Sequence, residues 1–121
     1  VVDDPYLVAK DAGALVILTE WPAVEVNPAN ARAYFLLGES AIAASEYNDA
    51  IRYMTEATRL DPSFAPAWRE LGVAQSRNGA LDIAVDSVRQ AVTLDREDAE
   101  AHSILGGIYR RKARELARGL P

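Results

Sequence analysis

Two observations predict an all-α fold, an α-solenoid of stacked antiparallel helix hairpins. The first is an internal period of 34 residues. Ala31, Ala65 and Ala99 fall on it, as do Leu37, Leu71 and Leu105, and Gly38, Gly72 and Gly106. The second is the spacing of apolar and small residues inside each period. Tyr34, Leu37, Gly38 and Ala41 lie on one helix face, and Ala50, Ile51, Met54 and Ala57 on another. Each period therefore holds two helices, and neither can bury its face without the next.

The elements follow in order. Residues 1–30 read as a partial repeat. Ala23 to Pro28 echoes Ala57 to Pro62, so 14–26 resembles the second helix of a preceding unit. Pro22 should break it, and Asp4-Pro5 could start a short helix over 5–12. Unit 31–64 pairs a helix at 31–44 with one at 47–60, parted at Ser45-Glu46. Unit 65–98 pairs 65–78 with 81–94, parted at Asn78-Gly79, where glycine suits the left-handed capping position. Asp61-Pro62 closes the first unit, and Pro66 sits where a helix start tolerates it. The last segment, 99–121, has no turn signal before residue 118 and reads as one long helix, the first of a third unit or a cap. The whole is a single domain.

Packing follows from residue size. Gly38 and Gly72 remove a side chain where two helices approach, and Ala50, Ala57, Ala84 and Ala91 do the same on the partner helices. Tyr34 and Trp68 supply bulk, worth about 2–3 kcal/mol each on burial.

These residues resemble the tetratricopeptide repeat. Trp68, Leu71, Gly72 and Ala84 stand in its pattern, as do Tyr34, Leu37, Gly38, Ala50, Ala57 and Pro62. Ala41 and Gln75 depart from it in place of tyrosine, Met54 and Val88 in place of phenylalanine, and Arg96 in place of proline. The resemblance covers 31–109 and implies a right-handed superhelix with a concave groove. It implies that the groove is lined by Arg32, Phe35, Glu39, Ile42 and Ala43, then Pro66, Arg69, Val73, Ser76 and Arg77. Glu100, Ser103, Gly107, Arg110 and Arg111 complete it.

That set is basic on a chain of net charge −5, so a partner peptide or helix bearing acidic and apolar residues is the natural complement. Arg outnumbers Lys 11 to 2, so a solvated face without a dedicated ligand is the alternative. One use of the family is to clamp the C-terminal carboxylate of chaperones. Phe35, Glu39, Glu70, Glu100 and Ile104 stand at the corresponding places here, and they cannot hold an anionic terminus.

A second surface is expected at the end of the stack. Leu105, Tyr109 and Leu116 form an apolar seam with no second helix to cover it. Residues 1–30 carry a net −4 and residues 99–121 a net +3, which suits head-to-tail association. Self-assembly as a homo-oligomer is thus one alternative function, and a regulatory appendage of a larger enzyme is another.

The remaining features narrow the class. The acidic balance argues against nucleic-acid binding. No apolar run exceeds five residues, too short for the roughly 18 that cross a bilayer, so no membrane insertion is expected. There is no cysteine. His102, the lone histidine, occupies the slot of Tyr34 and Trp68 and reads as a packing residue. The cluster Asp95 to Asp98 reads as a helix cap, Gly106-Gly107 lies inside a helix with no preceding strand, and Trp21 and Trp68 read as core. No nucleophile, base and orienter coincide, so no enzyme, cofactor or metal is expected. The start Val1-Val2-Asp3-Asp4, without Met, suggests an excised or processed chain. Cytoplasm is the default compartment, with a bacterial periplasm as the alternative.

Overall fold

The structure, a computed structural model, describes residues 27–119. The helices expected at 5–12 and 14–26, the break at Pro22, and Trp21 lie outside the described residues. Within them the chain forms α1 (Pro28–Ala43), α2 (Tyr47–Leu60), α3 (Ala65–Arg77), α4 (Leu81–Leu94) and α5 (Ala99–Arg118). No helix among the described residues is long and apolar enough to cross a membrane.

Helix α1 begins three residues before the expected start. The Asn27 side chain accepts from the Asn30 N–H at 3.2 Å, and Pro28 fills the first helical position. An Asn-Pro pair therefore starts a helix here, although its echo Asp61-Pro62 ends one. Asp61 instead turns back on itself, accepting the Ser63 N–H at 3.2 Å, and Asp95 does the same for Glu97 at 3.2 Å. The 34-residue identity of these two aspartates thus preserves a turn.

The reversals inside the hairpins share one construction. Glu46 N–H reaches Ala41 O at 2.8 Å, and Ala80 N–H reaches Gln75 O at 2.9 Å. The residue before each is left-handed: Ser45 at φ 61° and Gly79 at φ 92°. Glycine takes that conformation freely, and serine does not. Ser45→Gly should therefore raise stability by about 0.5–1 kcal/mol, read from urea unfolding. An unchanged or lower midpoint would show that Ser45 carries no strain.

Core packing runs along the stack. Ala31, Ala50, Ala57, Ala67, Ala74, Ala84, Ala91 and Ala101 are almost fully buried, together with Met54 and Val88. Glycine makes the hairpins possible. A Cβ on Gly38 would meet Met54 Cε at 2.7 Å, and one on Gly72 would meet Val88 Cγ2 at 2.3 Å. At Gly106 the nearest neighbour would be Arg110 Nη1 at 3.6 Å, since among the described residues no helix packs against α5 there. Gln75, which stands in the tyrosine position, accepts from the Ser87 hydroxyl at 2.6 Å in a buried contact. A hydrogen bond stands here where the repeat pattern has an aromatic ring.

Three packing expectations need correction. Leu71 is buried, but Leu37 is 48% exposed. By the repeat, the helix that would cover Leu37 falls in 14–26, outside the described residues. Leu105 is not part of an open seam. It packs against the cluster of Ala84, Val85 and Val88, because α5 leans on α4 through that face. Tyr109 and Leu116 remain exposed, and the Tyr109 hydroxyl accepts from Arg89 at 2.9 Å. His102 is exposed and does not fill the core. Its Nε2 lies 2.9 Å from Arg96 O, and Trp68 Nε1 donates to Pro62 O at 2.9 Å. What this position repeats is a ring nitrogen on the preceding turn, a role that imidazole performs without indole bulk.

Candidate functional site

Helices α1, α3 and α5 are the first helices of successive units, and their inward faces carry the residues singled out from the sequence. Those residues separate into three groups.

The first group is a cleft of about 450 Å³ between α3 and α5. It brings together the expected residues Val73, Ser76, Arg77, Gly107, Arg110 and Arg111. Arg111 is fixed in place: its Nη1 donates to Ser76 O at 2.9 Å and to Ser76 Oγ at 2.8 Å. Ser76 is thereby buried, and it acts as a support for Arg111 more than as an open groove residue. Arg77 reaches toward Tyr47, whose hydroxyl is lowered in pKa by its hydrogen bond to Ser45 and then by Arg77.

Three more residues line the cleft: Ile104, read from the sequence only as a position unfit to clamp a carboxylate, and Ile108 and Arg114, which the sequence does not single out. Ile104 and Ile108 supply apolar floor. Arg114 lies four residues after Arg110 and three after Arg111, so it shares their face. That signal was present once α5 was read as one uninterrupted helix. Among the described residues, no acidic one lines this cleft.

The second group surrounds Arg69. Its Nη1 lies 2.8 Å from Asp98 Oδ2 and 3.8 Å from Glu100, and its Nε lies 3.1 Å from Glu70. Only 17% of the Arg69 side chain is exposed. This arginine is therefore committed within the molecule, not offered to the groove as a free cation. Burial opposes its charge, but Asp98, Glu70 and Glu100 outweigh burial and raise its pKa further. Burial also pushes the Asp98 carboxyl upward. The Ala101 N–H and Arg69 overcome this and hold it below the ordinary aspartate value. Asp98 caps α5 through that same N–H at 3.1 Å, so one carboxylate starts a helix and joins two repeats. Glu70 moves the other way. Burial raises its pKa, Arg69 opposes this, and Glu100 and Glu39 add to the rise. Glu39, Glu70 and Glu100 thus make this part of the groove acidic.

The third group is aromatic. Phe35 and Phe64 lie with ring centroids 5.1 Å apart, and the Arg32 guanidinium sits 5.7 Å from the Phe64 centroid. Arg32 and Phe35 are therefore near each other but outside the arginine cleft. Ile42 packs partly on Ala41, Ala50 and Ala74. Ser103 is exposed and does not line the cleft.

Comparison with known proteins agrees with the architecture. A sequence profile of the tetratricopeptide repeat matches residues 36–96. Anaphase-promoting complex subunit 3 of Dictyostelium discoideum is 31% identical over 77 residues, which is 64% of this chain and 8% of that protein. Tetratricopeptide repeat protein 33 of Xenopus laevis is 29% identical over 82 residues, 67% of this chain and 32% of that one. The chain thus spans under a third of either relative. Among solved structures, the second tetratricopeptide domain of human RPAP3, in complex with the HSP70 peptide SGPTIEEVD, superposes with a TM-score of 0.65. It is 25% identical, over 67% of this chain and 68% of that one.

Proposed function

This chain belongs to the tetratricopeptide repeat family, and we propose that it is a protein-interaction scaffold whose cleft between α3 and α5 holds an acidic and apolar segment of a partner protein. The observation that carries the reading is the cleft itself. Arg77, Arg110, Arg111 and Arg114 surround it, Val73, Ile104 and Ile108 give it an apolar floor, and no carboxylate among the described residues lines it. Guanidinium groups pair with carboxylates through forked hydrogen bonds, and an apolar floor rewards a neighbouring aliphatic side chain.

The RPAP3 domain provides a parallel in kind, since its peptide ends in the mixed apolar and acidic run IEEVD. The chaperone terminus itself is not the ligand proposed here. Glu39, Glu70 and Glu100 make the neighbouring part of the groove repel a terminal carboxylate. The segment instead places its acidic residues toward Arg110 and Arg114, away from those three.

The test is a panel of peptides that interleave Asp or Glu with Leu or Val, together with a panel carrying Lys in place of the acids. The acidic panel should bind, and its affinity should fall as salt rises. The double variant Arg77→Glu/Arg110→Glu should weaken binding at least about tenfold while the helical circular dichroism and the thermal midpoint stay in place. Equal affinity of the variant, or equal binding of the Lys panel, would reject the cleft as the binding site.

A further inference from the structure

We infer that the acidic group this cleft is built to receive is a phosphorylated serine or threonine of the partner segment, with an apolar neighbour on the floor of Val73, Ile104 and Ile108. This rests on the preceding reading that the cleft takes an acidic segment, and it names the acid.

The first argument is where the unpaired cations gather. Arg52 pairs with Asp49, Arg59 with Glu56, Arg69 with Asp98, Arg118 with Glu115, and Lys112 with Asp82. Among the described residues Arg32, Arg89 and Arg96 make no such pair and lie apart from the cleft, Arg32 over Phe64 and Arg89 on the Tyr109 hydroxyl, whereas the unpaired Arg77, Arg110, Arg111 and Arg114 line a single cleft. Like charges gathered without a counter-charge repel one another, and the field they focus favours an anion of matching charge.

The second argument is stoichiometric. A carboxylate carries one charge on two oxygens, and one forked guanidinium satisfies it. A phosphate monoester carries about −1.5 to −2 charge and three acceptor oxygens at neutral pH, so it engages several guanidinium groups at once. Four arginines in one cleft exceed the need of a single carboxylate and suit the phosphate.

The third argument is preparation of the site. Both Arg111 Nη1 bonds to Ser76 are made without any ligand. One cation is thus already oriented, and among the described residues only its Nη1 is engaged in hydrogen bonds. Less side-chain entropy is then lost on binding. Arg110 lies back along its own helix, its guanidinium 3.6 Å from where a Gly106 Cβ would stand and 3.8 Å from that of Gly107. Gly107 also faces the cleft, so no side chain at that position stands between a ligand and the arginines.

The experiment uses three synthetic peptide libraries with the same degenerate flanks and a fixed central phosphoserine, glutamate or serine. The phosphoserine library should be retained most strongly. Its best peptide should bind roughly tenfold more tightly than the same peptide with glutamate, because charge and acceptor number both rise. Selected flanks should include an aliphatic residue next to the phosphoserine. Arg110→Gln and Arg114→Gln should each remove most of that preference without changing the melting temperature. If the glutamate peptide binds as tightly, the phosphate inference fails and the acidic-segment reading survives. If neither library binds above the serine library, both fail. A phosphoserine preference that survives both arginine substitutions would overturn the assignment to this cleft.

Discussion

Gly72→Ala should destabilise the protein by about 2 kcal/mol and lower its melting temperature by about 10 °C, even though alanine is the better helix former. The added Cβ would stand 2.3 Å from Val88 Cγ2 and 3.2 Å from Ala84 O. Val88 is fully buried, and Ala84 presents backbone, so neither can move aside cheaply. Overpacking costs about 1–3 kcal/mol, and so short an approach to a buried side chain belongs at the upper end, which leaves about 2 kcal/mol after a helix-propensity gain near 1 kcal/mol. Gly106→Ala isolates the propensity term. It occupies the same repeat position, but its Cβ would meet only Arg110 Nη1 at 3.6 Å, so it should stabilise α5 by about 0.5–1 kcal/mol. Combining Gly72→Ala with Val88→Ala should recover part of the loss, and a double-mutant cycle measures that coupling. A Gly72→Ala protein as stable as its parent would contradict the close approach of α3 and α4.

Met54→Ala should cost about 3 kcal/mol, within the range of about 2–5 for emptying a buried aliphatic site. Met54 is fully buried and lies over Gly38, which offers no side chain to fill the gap. Ala50 and Ala57, one turn away on the same helix, are also fully buried and short, so collapse of the hairpin would require helix movement. Met54→Leu, close in volume, should restore most of the loss. The α1/α2 hairpin does not line the arginine cleft. Peptide affinity measured well below the melting transition should therefore change little in Met54→Ala, whereas Arg77→Glu/Arg110→Glu should do the reverse. A Met54→Ala loss below about 1 kcal/mol would mean that the site relaxes freely.

Much of the architecture was legible in the sequence, for reasons that are local. Helix α5 was readable to Arg118 because nothing between 99 and 118 signals a turn. The approach at Gly38 and Gly72 was readable because the same small residue recurs at the same place in each unit. The start of α1 was not. Asn27-Pro28 and Asp61-Pro62 look alike in sequence, yet only the first pair is followed directly by helical backbone. His102 was misread because its position repeats a hydrogen bond to the preceding turn, while the repeat pattern suggested repeated volume.

The chain's own order of residues was enough to determine the hairpins, their 34-residue stacking and the glycines at their contacts, because helix periodicity, capping and size matching act between residues close in sequence. Which arginines could meet a ligand was decided only by the folded arrangement. Arg69 and Arg110 were equal candidates in the linear chain. Asp98, 29 positions beyond Arg69, arrives against Arg69 because it caps the next unit, and among the described residues no carboxylate joins Arg110 in the cleft. Coulombic pairing depends on distance through space, and the superhelix sets that distance between units.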